Sequence, residues 1–237
     1  MKKIITVLAA AVIAASTMSA ADVALGVRGK GSMNIGTKFV EERSGSVEYP
    51  YVFGGGFDAY ANLSVFNLGA IKLGVQPEIG MNFFNGISTK YTASALGSST
   101  TTEAKCSTTT IDIPVLVTLK TDLGKKFRVG VGVGPYVSFV IDGKVEWENT
   151  SKIGATTSTS SDFTKKGQDG LDFSATNFGF AFDADLGFGF GPGKLVLDVR
   201  YMLDVTPTKV LTNGEDSDYT NFYRRNLTAA LGYEIKI

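Results

Sequence analysis

The stretch IKLGVQPEIGMNFF, residues 71–84, alternates apolar side chains with small or polar ones along its length. The apolar positions are Ile71, Leu73, Val75, Pro77, Ile79, Met81 and Phe83. The positions between them are Lys72, Gly74, Gln76, Glu78, Gly80 and Asn82. Successive side chains of a β-strand point to opposite faces, so this alternation predicts a strand with one apolar and one polar face. The run is longer than a typical strand of about five or six residues.

Seven further segments repeat this alternation, which gives eight predicted strands. The clear ones are 109–120, 127–141, 178–190, 195–205 and 226–237, and the weaker ones are 23–36 and 52–65. The connections alternate in length, with short turns near 67–69, 122–125 and 191–193. Long polar loops are predicted near 38–51, 85–108, 142–171 and 206–222, and we expect the Ser/Thr-rich ones at 85–108 and 142–171 to be mobile. An even number of strands with short turns on one side and long loops on the other is typical of outer-membrane barrels.

The apolar face could point either way. A soluble barrel of the lipocalin type would turn it inward around a ligand, whereas a membrane barrel turns it toward lipid. Here the apolar faces are broad and aromatic, and the opposite faces combine glycine with charge. A charged side chain facing the bilayer midplane costs up to ~2–4 kcal/mol, so we place the charges inside. Aromatic residues near the strand ends predict two interfacial girdles: Phe66, Phe127, Phe190 and Tyr233 toward the periplasm, and Phe83, Phe84 and Phe139 toward the outside.

The amino terminus has the three parts of a secretory signal. Lys2 and Lys3 precede an apolar run at 4–15, and Ser19-Ala20-Ala21 fits a small-residue cleavage site. We therefore predict a signal peptide at 1–21 and an outer-membrane β-barrel domain at 22–237. The fold prediction is all-β, an eight-stranded antiparallel up-and-down transmembrane β-barrel located in the bacterial cell outer membrane.

Two neighbouring predicted strands carry a family resemblance. The first contains Ile111-Asp112-Ile113-Pro114-Val115-Leu116-Val117, and the second contains Gly130-Val131-Gly132-Val133-Gly134-Pro135-Tyr136. This pair resembles the outer membrane protein beta-barrel domain family, often called PorT-like. The resemblance implies an eight-stranded barrel behind a signal peptide and no defined catalytic residues. The chain ends in Ile237, whereas many outer-membrane barrels end in Phe as an assembly signal.

Composition removes several classes of function. The sequence has no histidine, and therefore lacks the commonest general base and metal ligand, and its one cysteine forms no intramolecular disulfide. Lys+Arg and Asp+Glu both total 23, so no overall basic field attracts nucleic acid. We expect no catalytic residues, cofactor or metal, and no enzyme activity. The expected partners are outer-membrane lipid, the barrel-assembly machinery and possible extracellular ligands of the loops, with the protein itself a monomer.

Charges of both signs fall on the inward face at similar depth. They are Arg28, Lys30, Asp58, Glu78, Asp183, Asp185, Asp198, Arg200 and Glu234. An unpaired buried charge is strongly unfavourable, so we interpret this lumen charge cluster as a salt-bridged plug. The plug predicts a structural or surface-interaction protein. The alternative is a narrow, porin-like channel for ions or small solutes. An acid/base pair or Ca²⁺ site at Asp183 and Asp185 is also conceivable, but ion pairing suits them better.

Overall fold

The computed structural model describes thirteen strands. The described residues are 22–35, 46–48, 50–95, 97–124, 126–153, 156–169, 171–173, 176–212, 215–216 and 223–237, so the predicted signal peptide lies outside them. The strands are β1 (Val23–Asn34), β2 (Ser46–Glu48), β3 (Val52–Leu68), β4 (Ile71–Ala95), β5 (Ser98–Leu123), β6 (Phe127–Ile153), β7 (Thr156–Lys165), β8 (Leu171–Phe173), β9 (Thr176–Phe190), β10 (Gly193–Asp204), β11 (Val210–Thr212), β12 (Glu215–Asp216) and β13 (Arg225–Lys236). Within these ranges, the structure contains no helix long and apolar enough to span a bilayer.

Eight of these strands form a closed ring. Neighbouring strands pair antiparallel in the order β1, β3, β4, β5, β6, β9, β10 and β13. The ring closes where β1 pairs with β13, from Ala24 opposite Lys236 to Asn34 opposite Asn226. This arrangement confirms the predicted eight-stranded up-and-down barrel. Closure leaves no free strand edge within the ring, as a membrane-spanning sheet requires.

The two faces of the ring divide as the alternation predicts. On β1 the outward side chain of Val27 is 62% exposed, whereas the neighbouring Arg28 is 3% exposed inside. A band of outward apolar residues surrounds the ring and marks the predicted membrane-spanning segments. These segments are 25–33, 53–63, 73–83, 111–119, 129–139, 178–188, 195–203 and 227–235. Each has about the nine to eleven residues that a tilted transmembrane strand needs.

Three short turns join strands at one end of the barrel. Each contains a glycine with positive φ, at Gly69 (+66°), Gly124 (+74°) and Gly191 (+57°), where a side chain would be strained. Phe66 and Phe190 lie beside these turns with 61% and 59% of their surface exposed. Both are among the residues predicted for the periplasmic girdle.

The opposite end differs from the loops predicted at 85–108 and 142–171. Most of their length forms paired strands, so the prediction of loops is wrong there, whereas their mobility stays a prediction. There β4, β5, β6 and β7 continue past the barrel as paired strands, and β2 adds to the β4 edge. We call this part the projecting sheet, made of 46–48, 85–95, 98–109, 142–153 and 156–165. Eleven extended residues reach about 35 Å, so the sheet stands well outside the band of apolar residues. Apart from a few apolar residues at its base, such as Ile87, Cys106 and Val145, both of its faces are polar, so it carries no continuous apolar alternation by which sequence reasoning could find it.

An apolar cluster lies where the projecting sheet joins the barrel. Register shifts between Asn82 and Asn85 and between Thr109 and Thr110 change which side chains face inward. Beyond these bulges, apolar side chains are buried among polar ones, and β8 of the small β8–β11–β12 sheet adds two more apolar side chains. The resulting apolar cap consists of Ile87, Cys106, Val140, Val145, Leu171 and Phe173.

Candidate functional site: the charged lumen

The centre of the lumen is organised around Arg28. Alternation in β1 turns this side chain inward, where its guanidinium lies among three carboxylates from three other strands. The contacts are Nε to Asp58 (2.7 Å), Nη2 to Glu78 (2.8 Å) and Nη1 to Asp198 (2.7 Å). Its carbon Cζ also lies 4.5 Å from the centre of the Tyr60 ring. Each of the three guanidinium nitrogens therefore donates to a carboxylate, and one face of the guanidinium packs on an aromatic ring.

Arg200 extends this network across the barrel. Its Nη1 and Nη2 donate to the two oxygens of Glu78 at 2.6 and 2.9 Å, a bidentate pair, and Nη2 also donates to Asp183 at 2.8 Å. Lys30 lies 3.5 Å from Asp58 at the edge of the same network. These residues come from β1, β3, β4, β9 and β10, so the contacts tie more than half of the ring together through its interior.

A second layer lies nearer the short turns. Lys120 donates to Gln76 at 2.7 Å and pairs with Asp185 at 3.4 Å. Arg128 donates to the other oxygen of Asp185 at 3.1 Å, and to Glu234. Gln76 in turn donates to Glu78 at 2.7 Å, which joins this layer to the central network.

A third layer, toward the projecting sheet, is organised around Arg224. This arginine is 1% exposed, and its Nε lies 3.0 Å from an oxygen of Asp204. Its Nη1 is 3.8 Å from Asp112. Tyr136 donates to Asp204, and Asn82 and Ser138 donate to Asp112. The layer adjoins the apolar cap, since Thr110, which accepts a hydrogen bond from Arg224, lies opposite Val140 of the cap.

Ion pairs also cross the mouth of the barrel at the turn end. Lys194 Nζ lies 2.7 Å from Asp122, and Lys72 Nζ lies 3.1 Å from Asp122 and 3.6 Å from Asp22. Lys236 pairs with Asp22 at 2.6 Å. We call these five residues the rim. The hydrogen bond from Lys236 lowers the pKa of Asp22, and hydrogen bonds from Lys194 and Lys72 lower the pKa of Asp122 against the opposing effect of burial. Both carboxylates are therefore charged at neutral pH.

The structure places all nine residues of the predicted lumen charge cluster inside the barrel. It divides them between the central network and the second layer, to which Asp185 and Glu234 belong. Asp183 and Asp185 have different partners. Asp183 pairs with Arg200, whereas Asp185 pairs with Lys120 and Arg128. Among the described residues, no group of three or more His, Cys, Asp or Glu is arranged to hold a metal ion.

Sequence reasoning did not include several lumen residues in the cluster. Asp112, Lys120, Arg128 and Asp204 were assigned to polar strand faces but not to the charge cluster, and all are buried. Arg224 was not considered, because it lies before the predicted strand at 226–237. Extending that alternation by one step of two residues would have found it, since Arg224 has the parity of the inward Asn226 and Thr228.

A comparison with protein-family models matches residues 17–208 to the outer membrane protein beta-barrel domain. The match covers most of the chain. The chain belongs to the outer membrane protein beta-barrel domain family. Members of this family lie in the bacterial outer membrane, so the outward apolar band of the barrel faces lipid and the short turns face the periplasm. No curated protein matches the chain.

Solved outer-membrane barrels are similar to the chain over nearly all of its length. Neisserial surface protein A, from Neisseria, is 11% identical, covers 92% of this chain and 100% of its own, and has a TM-score of 0.41. The attachment invasion locus protein Ail of Yersinia pestis is 12% identical, with coverage of 91% and 97% and a TM-score of 0.34. OprG of Pseudomonas aeruginosa is 9% identical, with coverage of 92% and 97% and a TM-score of 0.43.

Proposed function

We propose that this protein is a sealed outer-membrane scaffold with a surface-interaction role. The observation that carries the proposal is the succession of ion-paired layers along the lumen, from the rim to Arg224, beneath the apolar cap. An eight-stranded barrel has an interior just wide enough for side chains to fill. In this barrel most of the charged side chains of the lumen are paired with one another, which supports a lumen closed to solutes.

The energetics of the lumen support a structural role for its charges. Arg28, Glu78 and Arg200 are each less than 5% exposed, and each has at least two partners of opposite charge. Removing one partner of a buried pair costs about 3–5 kcal/mol, because the remaining charge is left uncompensated. An ion passing through would have to displace these contacts in series. The proposal assigns the lumen no catalytic step.

The projecting sheet is the part of the protein that is available for interaction. It extends beyond the membrane and presents rows of hydroxyl groups, such as Thr92 and Thr101 with oxygens 3.1 Å apart and Thr150 and Thr159 at 3.3 Å. Trp147, the one tryptophan of the sequence, lies in this sheet and is 40% exposed. Exposed tryptophan is enriched among the residues that dominate binding energy at interfaces. We propose that this sheet contacts an extracellular ligand, and that the barrel is a monomer held by lipid after delivery by the assembly machinery.

The test is to trim the projecting sheet without disturbing the barrel. Thr89 lies opposite Ala104, and Glu146 lies opposite Phe163. Replacing residues 90–103 and 147–162 by Asn-Gly turns therefore removes Trp147 and closes two shorter hairpins between existing partners. Cells carrying the native or trimmed protein are compared for attachment to surfaces coated with mucin or fibronectin. Cells lacking the protein are compared with native cells for sensitivity to detergent.

We expect the trimmed protein to keep heat-modifiable migration on gels, which reports an intact barrel, and to lose attachment. We expect deletion of the whole chain to raise detergent sensitivity. The surface-interaction role would be refuted if trimmed and native cells attached equally well and deletion left the envelope unchanged. Native cells serve as the reference in both assays.

A further inference from the structure

The periplasmic end of the lumen contains a cavity that the ion-paired plug does not fill. Its volume is about 140 Å³, and it lies between the rim and the second lumen layer. A single water needs roughly 10–15 Å³ of such space, so a group of several heavy atoms fits. The residues that line the cavity come from seven of the eight barrel strands and from the turn at Pro192. The cavity is therefore enclosed by the barrel and does not belong to one loop.

The charges that line this cavity are predominantly positive. Its lining includes five cationic side chains against three carboxylates. The cations are Lys72, Lys120, Arg128, Lys194 and Lys236, and the carboxylates are Asp22, Asp122 and Glu234. In the rim, three lysines share two aspartates, and each aspartate has a lysine within 2.7 Å. The two rim aspartates are thus paired with lysines and Glu234 with Arg128. Even with Asp185, which pairs with Lys120 and Arg128 from outside the lining, five cations face four carboxylates, so positive charge remains for an anion.

Three buried atoms on lining residues lack a hydrogen-bond partner. They are Oγ1 of Thr118, Nε of Arg128 and Oε2 of Glu234. Arg128 and Glu234 are 6% and 4% exposed. Leaving a buried polar group unsatisfied costs about 1–3 kcal/mol, so such groups usually bond a ligand or ordered water. Nε of Arg128 donates, Oγ1 of Thr118 can donate, and Oε2 of a charged Glu234 only accepts.

We propose that this periplasmic vestibule binds a small protonated oxyanion of the phosphate class. Its oxygens accept hydrogen bonds from the lysines, from Arg128 and from Thr118. Its hydroxyl donates to Glu234, which a fully deprotonated anion could not do. The phosphate group can come from free inorganic phosphate in the periplasm or from the phosphomonoester headgroup of phosphatidic acid in the inner leaflet. This site goes beyond the proposed surface role and does not depend on it.

The test uses the full-length mature protein, folded in detergent micelles, and isothermal titration calorimetry with inorganic phosphate at neutral pH and low salt. We expect saturable binding that weakens at least tenfold in the Lys72→Gln, Lys194→Gln double variant. The matched control is Lys152→Gln, which removes an exposed lysine at the far end of the projecting sheet. Heat-modifiable migration establishes that each variant is folded.

A second titration with dihexanoyl phosphatidic acid, whose phosphomonoester keeps a hydroxyl near neutral pH, separates the two sources. Binding of inorganic phosphate alone supports a free anion, and competition between the two supports a headgroup that reaches the same site. The proposal is overturned if the native protein shows no saturable phosphate binding, or if the double variant and Lys152→Gln bind equally well. It is also overturned if Ca²⁺ binds in the vestibule and phosphate does not.

Discussion

Arg224 and Arg225 are consecutive residues with opposite surroundings. Arg224 is 1% exposed and lies 3.0 Å from Asp204, whereas Arg225 points outward and is exposed. Replacing Arg224 by methionine keeps most of the side-chain volume but leaves Asp204 without its cation. We expect Arg224→Met to lower the free energy of unfolding by about 3–5 kcal/mol, as for other broken buried pairs. The measurement is urea unfolding in micelles, followed by the folded fraction on unboiled gels.

Arg225→Met is the matched control for this prediction. An exposed substitution away from special features changes stability by within about 0.5 kcal/mol, so the control should unfold at nearly the native urea concentration. Equal losses in the two variants would show that the Arg224 ion pair does not stabilise the barrel.

Cys106 gives a second prediction at the residue scale. It is 4% exposed in the apolar cap, between Ile87 and Val145 on the flanking strands. Burial raises the pKa of its thiol to about 12, so the thiol stays neutral in the folded state well above the pH at which an unfolded chain ionises. Because the thiolate is the reactive form, we expect the folded protein to resist alkylation by iodoacetamide at pH 9 and the urea-unfolded protein to react fully.

The same shift sets the direction of a pH effect. Between the unfolded pKa near 9 and the folded pKa near 12, the unfolded chain releases the proton first, so the stability contributed by Cys106 falls as pH rises through this range. Only one cysteine is present, so labelling reports this residue alone. Equal labelling rates for folded and unfolded protein would contradict the buried position.

At the element scale, apolar alternation predicts the strands only where one face meets lipid. There the contrast between outward apolar and inward polar residues is required by the environment, and the eight barrel strands follow from it. In the projecting sheet both faces are mostly polar beyond its apolar base, so Ser/Thr-rich residues at 98–109 resemble a flexible tract in composition. Their strand structure depends on in-register pairing with β4 and β6, which no local pattern encodes.

Thr101 tests the projecting sheet directly. It lies in β5, opposite Thr92 on one side and Thr150 on the other. Proline there removes a backbone donor and is poorly tolerated in a strand that is paired on both sides. We expect Thr101→Pro to increase amide hydrogen exchange across 98–109, measured by mass spectrometry, without loss of heat-modifiable migration.

Thr101→Val is the control, since it keeps a β-branched side chain and should retain the slow exchange of the native sheet. If Thr101→Pro exchanged as slowly as the native protein, these residues would not depend on the pairing that the structure shows. If the native protein exchanged as fast as an unfolded peptide over 98–109, the projecting sheet itself would be in doubt.

For the candidate site, the sequence predicts which side chains face the lumen but not which of them meet. The alternation of inward and outward positions along each strand assigns Glu78 and Arg200 to the interior. Their contact joins residues 122 positions apart. It depends on the stagger between strands and on the length of the side chains, neither of which can be derived from the alternation. For the same reason, the sequence does not predict that Asp183 and Asp185 have separate partners, although they lie two residues apart on one face.

At the scale of the whole molecule, the layers of ion pairs act together. The rim, the second layer, the central network, the Arg224 layer and the apolar cap follow one another along the barrel. Any one layer could open through side-chain motion, but a conducting path requires all of them to open at once. The central claim is therefore that the native barrel is closed to ions.

Planar-bilayer recording of the purified native protein tests this claim most directly. Insertion is verified by heat-modifiable migration of protein recovered from the same vesicles, and a porin of known conductance is recorded in the same bilayer as a positive control. The lumen structure predicts a flat current trace without discrete steps. Steady single-channel steps from the native protein, abolished by Arg28→Ala or Arg200→Ala, would contradict it and establish the narrow channel instead.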